Sequence, residues 1–313
     1  MSFGNQWRVH GLMILVVFSW GMAWAVGRIL ALGLPPMTGA WLRYVLTMVL
    51  FYAWFAGRAL KGYEVNWLPS GRKTWRTLTL IALTGVLGYQ IFFMNGMRFT
   101  AAGDASLIIT FNPIFTVLLA APMLGQKISR KMFVGLFCGF IGVGVVTGWS
   151  PNTDIPFEDR ILGDFMILLA SLNWAMTTNN TKRMMEQRNS EQKATTLEIV
   201  VWYSLIGTVL LTPLAAWETW QYGIPEPTLT DWYAIFYLAA ISTVLAYYWF
   251  AIGVEKLGAT AASSYIFLMP VFGVLGGVIL LDENIGWTLL LGFILIVIGV
   301  RVVQRESEAL RTA

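Results

Sequence analysis

The amino-acid sequence predicts an all-α membrane protein: ten transmembrane helices, arranged as two inverted five-helix repeats around a central cavity. Three observations predict it. The 313-residue chain is 57% hydrophobic and only 12% charged, whereas a soluble domain carries about 25% charged residues to cover its surface. Ten apolar runs, each long enough to cross a bilayer, follow one another with short links. The stretch 93–146 can be laid on 250–303 without a gap, at an offset of 157 residues.

A bilayer core asks for roughly 20 apolar residues per helix. Runs of this kind occupy 9–32, 38–56, 75–97, 101–123, 131–149, 161–181, 196–216, 231–252, 260–281 and 286–304. The first could pass for a secretory signal, but it is long enough to span and no small-residue cleavage site follows it, so it reads as the first membrane helix. Only 57–74 and 182–195 are substantial polar loops, and no soluble domain is appended. The 15 Trp fit amphipathic rings at membrane interfaces.

Lysine and arginine set the expected orientation. One set of alternating segments carries Arg8; Arg58, Lys61, Arg72, Lys73 and Arg76; Lys127, Arg130 and Lys131; Lys182, Arg183, Arg188 and Lys193; Lys256; and Arg301, Arg305 and Arg311. The opposite set carries Arg98 and Arg160, together with the acids Asp154, Glu158, Asp159, Glu218, Glu226 and Asp231. Both termini are therefore expected in the cytoplasm. One missed helix would scramble this alternation, so the bias also supports the count of ten.

The offset pairs Gly96 with Gly253, Ser106 with Ser263, Pro113 with Pro270, Gly135 with Gly292 and Gly142 with Gly299. Helices 3–5 thus match helices 8–10. Gly11, Ser19 and Trp20-Gly21 have looser counterparts in Gly163, Ser171 and Trp174-Ala175. The chain divides into a first repeat, 1–150, and a second, 151–313. Five is odd, so the second repeat enters the membrane from the opposite side. Inverted repeats recur in secondary transporters, with the substrate near midplane between the halves. An old duplication in a receptor or scaffold is the bland alternative.

Several function classes find no support. Net charge is +4, but the basic residues are scattered over short loops, which leaves no room for a nucleic-acid surface. There is no nucleotide-binding G-x-x-x-x-G-K-[ST] loop and no H-E-x-x-H. A lone Cys138 and a lone His10 cannot build a disulfide, a Cys-based metal site or a zinc cluster. No enzyme activity, metal or cofactor is expected.

Polar and aromatic residues inside the helices are the candidates for substrate contact. Helix 4 places Ser106, Thr110 and Pro113 on one face, beside Asn112; helix 9 repeats this as Ser263, Phe267 and Pro270. A proline frees a carbonyl that is tolerated where it lines a cavity; the alternative is a kink with Ser and Thr bonded to their own backbone. Trp20 and Trp24 lie one turn apart on helix 1, and Trp174 and Thr178 one turn apart on helix 6, with Asn173 and Asn179 beside them. Tyr89, Gln90 and Asn95 lie on helix 3, Tyr247 on helix 8 and Tyr265 on helix 9. Mid-helix aromatics either stack on a ligand or simply pack. The candidate substrate-binding set is Trp20, Trp24, Tyr89, Asn95, Ser106, Thr110, Asn112, Asn173, Trp174, Thr178, Tyr247, Ser263 and Tyr265. Arg28 and Arg43 are intramembrane charges, for which snorkelling to the external interface competes with pairing to a substrate carboxylate. Asp104, Asp164, Asp282 and Glu283 all fall near helix ends, so no mid-membrane proton relay is evident. That favours exchange or efflux down a gradient. Gly135-x-x-x-Gly139, Gly144-x-x-x-Gly148 and Gly273-x-x-x-Gly277 suit close packing within a monomer rather than dimerisation.

Local motifs add a resemblance: Phe18-Ser19-Trp20-Gly21, Pro36 through Arg43-Tyr44, Thr100-Ala101-Ala102-Gly103, Asn112-Pro113, Leu257-Gly258-Ala259, Met269-Pro270 and Glu283 in Leu-Asp-Glu-Asn. In order and spacing the chain resembles the EamA type of the drug/metabolite transporter superfamily. Gln126 departs from the acid expected in the first half, which points to a structural role for Glu283. The resemblance implies a cavity lined by helices 1, 3, 4, 6, 8 and 9, with helices 5 and 10 peripheral. The Trp- and Tyr-rich helices look most like bacterial inner-membrane exporters of aromatic and other amino acids. The expected function is therefore export of small metabolites by alternating access, with another solute class, a membrane sensor or scaffold, or a membrane-embedded enzyme as rivals.

Overall fold

The computed structural model describes residues 3–124, 129–186, 195–257, 262 and 265–312. Among these, nine helices are long and apolar enough to cross a membrane, and a shorter apolar helix makes ten. They are α1 (Phe3–Gly33), α2 (Pro36–Leu60), α3 (Arg72–Phe99), α4 (102–124), α5 (Arg130–Gly148), α6 (Phe157–Glu186), α7 (Thr196–Tyr222), α8 (Leu229–Leu257), α9 (Tyr265–Leu281) and α10 (Trp287–Thr312). The chain is a multi-pass, all-helical membrane protein; no strand occurs among the described residues. In a membrane only internally hydrogen-bonded elements such as these are tolerated, because lipid satisfies no backbone group.

Helix starts are capped. Thr195 with Glu198 and Thr228 with Asp231 form reciprocal capping boxes at α7 and α8. Two further caps come from far along the chain. Glu218, at the end of α7, accepts from Met37 N, Thr38 N and Thr38 Oγ1 at the start of α2. Glu283, after α9, accepts from Ala102 N at 2.6 Å and Gly103 N at 2.8 Å at the start of α4. Carboxylates placed there meet unpaired N–H groups and the positive end of the helix dipole.

Two spans break where their prolines dictate. α4 turns 3-10 at Ile109–Phe111, because Pro113 offers no N–H and crowds the carbonyl four residues earlier. α9 begins as a 3-10 turn, Tyr265–Leu268, ahead of Pro270. Two others contain wide π turns, at Leu83–Gly88 in α3 and Tyr237–Leu245 in α8. Shifted by 157 residues, 83–88 falls inside the second of these.

The pairings between helices come in matched sets. α1 packs on α9 and α6 on α4; α3 packs on α6 and α8 on α1; α2 faces α7 and α5 faces α10. Exchanging the first five helices with the last five returns the same pairs. Glycine makes the tightest approaches. A Cβ on Gly299 would lie 2.5 Å from the Gly135 carbonyl oxygen and 2.7 Å from Gly139 N, so α5 and α10 touch backbone to backbone. A Cβ on Gly273 would lie 2.3 Å from the Ser106 Cβ, so α9 leaves room there for the serine side chain of α4.

Candidate functional site

A cavity of about 520 Å³ lies between α6, α7 and α8, lined by Trp174, Thr177, Thr178, Thr181, Lys182, Met185, Ile199, Val200, Tyr203 and Tyr247. From Trp174 to Met185 it follows α6 for roughly 16 Å, at 1.5 Å per residue. Trp174 and Tyr247 mark its inner end. Lys182 and Met185 mark its mouth, at the end of the bundle where α6 finishes and α7 starts.

The inner end is aromatic. Trp174 sits 5.5 Å from Tyr89, centroid to centroid, and Tyr89 stacks on Phe93 at 5.5 Å. Phe93 in turn meets the edge of Trp24 at 5.3 Å. Trp20 packs against Tyr247 at 5.6 Å and Phe250 at 5.3 Å, and its Nε1 donates to the Ser242 carbonyl at 2.9 Å. The π turns of α3 and α8 end immediately before Tyr89 and Tyr247 or one residue earlier, and so aim both rings inward. Such bulges are frequent at functional sites.

The opposite end of the bundle is packed shut. Leu30, Ala31, Met97, Ala101, Ala102 and Asp104 are buried there. Arg28 does not snorkel: its Nη1 donates to Met97 O at 3.0 Å and its Nε stands 4.0 Å from Glu283. Arg160 donates to the Ser150 carbonyl, and Asp164 accepts from Thr100 Oγ1. Asp104 and Asp164 are both buried beside this network, close to helix ends.

The predicted site residues separate into groups. Trp174, Thr178 and Tyr247 line the cavity. Tyr89, Trp20 and Trp24 form the aromatic layer around its inner end. Asn95 donates to Ile91 O, Asn173 to Leu169 O and Asn112 to Ser171 O, so these amides are committed to backbone carbonyls. Ser106 and Thr110 are buried and donate to Gly103 O and Leu107 O. Tyr265 hydrogen-bonds His10 at the start of α1. Ser263 lies outside the described residues. Sequence reasoning passed over Thr177, Thr181, Lys182, Met185, Ile199, Val200 and Tyr203. The signal was present in part: Trp174, Thr178, Thr181 and Met185 follow i, i+4, i+7, i+11 on α6, one face of a helix.

Comparison with known proteins agrees with the fold. The model of the EamA-like transporter family matches residues 7–148 and 161–305. An uncharacterised transporter of Bacillus subtilis (strain 168), YetK, is 23% identical over 90% of this chain and 82% of its own length. A probable amino-acid metabolite efflux pump of Escherichia coli (strain K12) is 25% identical over 93% of both chains. Its Salmonella typhimurium namesake is 26% identical over 96% of both. A solved structure of 18% identity superposes with a TM-score of 0.57 over 93% of this chain and 98% of the other, which shows a shared fold.

Proposed function

The chain belongs to the EamA-like transporter family, and from that premise we propose that it exports small amphipathic metabolites, amino acids including aromatic ones, by alternating access. The observation that carries this reading is the cavity: about 520 Å³, with Trp174, Tyr203 and Tyr247 offering rings and hydroxyls, and Thr177, Thr178 and Thr181 along one wall. Ligand pockets of this size and mixed apolar character suit small molecules. The efflux pumps among the relatives support the same substrate class.

The chain works as two inverted repeats, 1–150 and 151–313, rocking about the site. The exchange symmetry of the helix pairs, the two π turns at related positions and the two matched segments support this division. Both termini and the cavity mouth lie in the cytoplasm of a bacterial cell, a reading the basic loops support, with the chain in its inner membrane as a monomer. Rocking would close the mouth and part the packed end, carrying the solute outward with no cofactor.

The test is flux. Purified protein in liposomes loaded with a panel of labelled amino acids should give saturable release, led by Phe, Tyr or Trp. A folded preparation that releases none of the panel faster than empty liposomes would sink the proposal.

A further inference from the structure

We infer that Arg43 is the anchor for a carboxylate on the transported solute, so that the site takes organic anions and zwitterions and discriminates against the matching neutral compounds. This rests on the exporter reading above and names the chemistry its cargo must carry.

Arg43 lies seven residues into α2, roughly 10 Å along the helix at 1.5 Å per residue, well past the span's first turn. Its guanidinium does not run out to the interface. It sits over the Tyr44 ring, 5.0 Å from the centroid, and within electrostatic range of the hydroxyls of Tyr89 and Tyr247. Its Nε is buried without a hydrogen-bond partner, and no carboxylate pairs with it among the described residues. An intramembrane cation left unpaired is costly, and proteins keep one where it serves a ligand or a relay.

Arg28 shows how this chain neutralises an arginine that has only a structural task. Its neighbours include Glu283 and the Met97 carbonyl. Arg43 has phenols instead. A guanidinium only donates and a phenol hydroxyl can donate, and together they suit a group with several lone pairs and negative charge. Gln90 adds to this. A Cβ on Gly39 would lie 3.5 Å from the Met94 terminal methyl, so one turn further in on each helix brings Arg43 level with Gln90. Gln90 is fully buried, and neither of its amide atoms has a partner.

The cavity reaches this cluster through shared walls. Tyr203 and Tyr247 line the cavity, and their hydroxyls face each other beside Tyr44. Tyr247 lies between the cavity and Arg43. A carboxylate entering past Lys182 at the mouth would meet no acid in the lining and would end against Arg43 and the two hydroxyls. Its apolar part would remain against Trp174 and Tyr89.

Calorimetry on the purified full chain tests this with phenylacetate and phenylacetamide, which share a ring and differ in charge. The acid should bind at least about tenfold more tightly than the amide. Arg43→Gln should weaken the acid by roughly 30-fold or more, the loss expected on removing one partner of a buried charge pair, and leave the amide unchanged; Arg43→Lys should restore part of the affinity. Equal binding of acid and amide by the wild type, no binding of the acid, or unaltered acid binding by folded Arg43→Gln protein would each overturn the inference. Acid binding without amino-acid flux would instead remove the exporter reading and leave the anion site standing.

Discussion

The two ends of the helix bundle use their polar residues in opposite ways. At the packed end, acids and arginines are spent on the protein itself: Glu283 caps α4 and faces Arg28, Glu218 caps α2, and Asp164 holds Thr100. At the cavity end, the lining is aromatic and threonine-rich, with no acid, and the Thr177 and Thr178 hydroxyls bond within α6 or to Thr84. The difference teaches that Glu218, Glu283 and Arg28, charges near helix ends of this bundle, serve as latches. Function lies with rings and with Arg43, a cation that no latch uses.

This contrast can be broken or sharpened by substitution. The largest effect should come from Gly299→Leu, which drives a side chain into the Gly135 and Gly139 backbone and separates α5 from α10; stability in detergent should fall by about 3 kcal/mol, read by denaturant titration of tryptophan fluorescence. Glu283→Ala comes next. It leaves two N–H groups of α4 unpaired and Arg28 without its acid, for a loss of about 2 kcal/mol. If that variant melts like the wild type, the packed end is not latched. Trp174→Ala should act on selectivity instead. The preference for aromatic over aliphatic cargo should drop by about fivefold, as expected for an aromatic contact near 1 kcal/mol, with a smaller stability loss than Glu283→Ala. Thr178→Val should be smallest, within about 0.5 kcal/mol in stability, because its hydroxyl only returns to Trp174 O and the residue is exposed.

Much of the fold is legible in the sequence because its signals are local. Twenty-residue apolar runs give the spans, and Pro113 and Pro270 mark the breaks in α4 and α9. The π turns are less legible, since Leu83–Gly88 and Tyr237–Leu245 carry no breaker that separates them from ordinary helix. The caps by Glu218 and Glu283 join residues about 180 apart in sequence, and nothing near either acid announces its partner. For the same reason Asn95, Asn173 and Ser106 look like free polar groups in a string of letters, whereas in the bundle each finds a carbonyl three or four residues back. Nothing in the sequence singles out Tyr203; only the packing of α7 beside α8 brings it to the cavity.

The most direct test of the cavity as the transport route is cysteine labelling. Cys138, the single native cysteine, is first replaced by alanine, and Thr178→Cys is introduced into the cavity wall. In liposomes, a membrane-permeant thiol reagent should then block amino-acid flux, and saturating phenylalanine should slow the labelling. Complete labelling of that cysteine with flux unchanged would contradict the account.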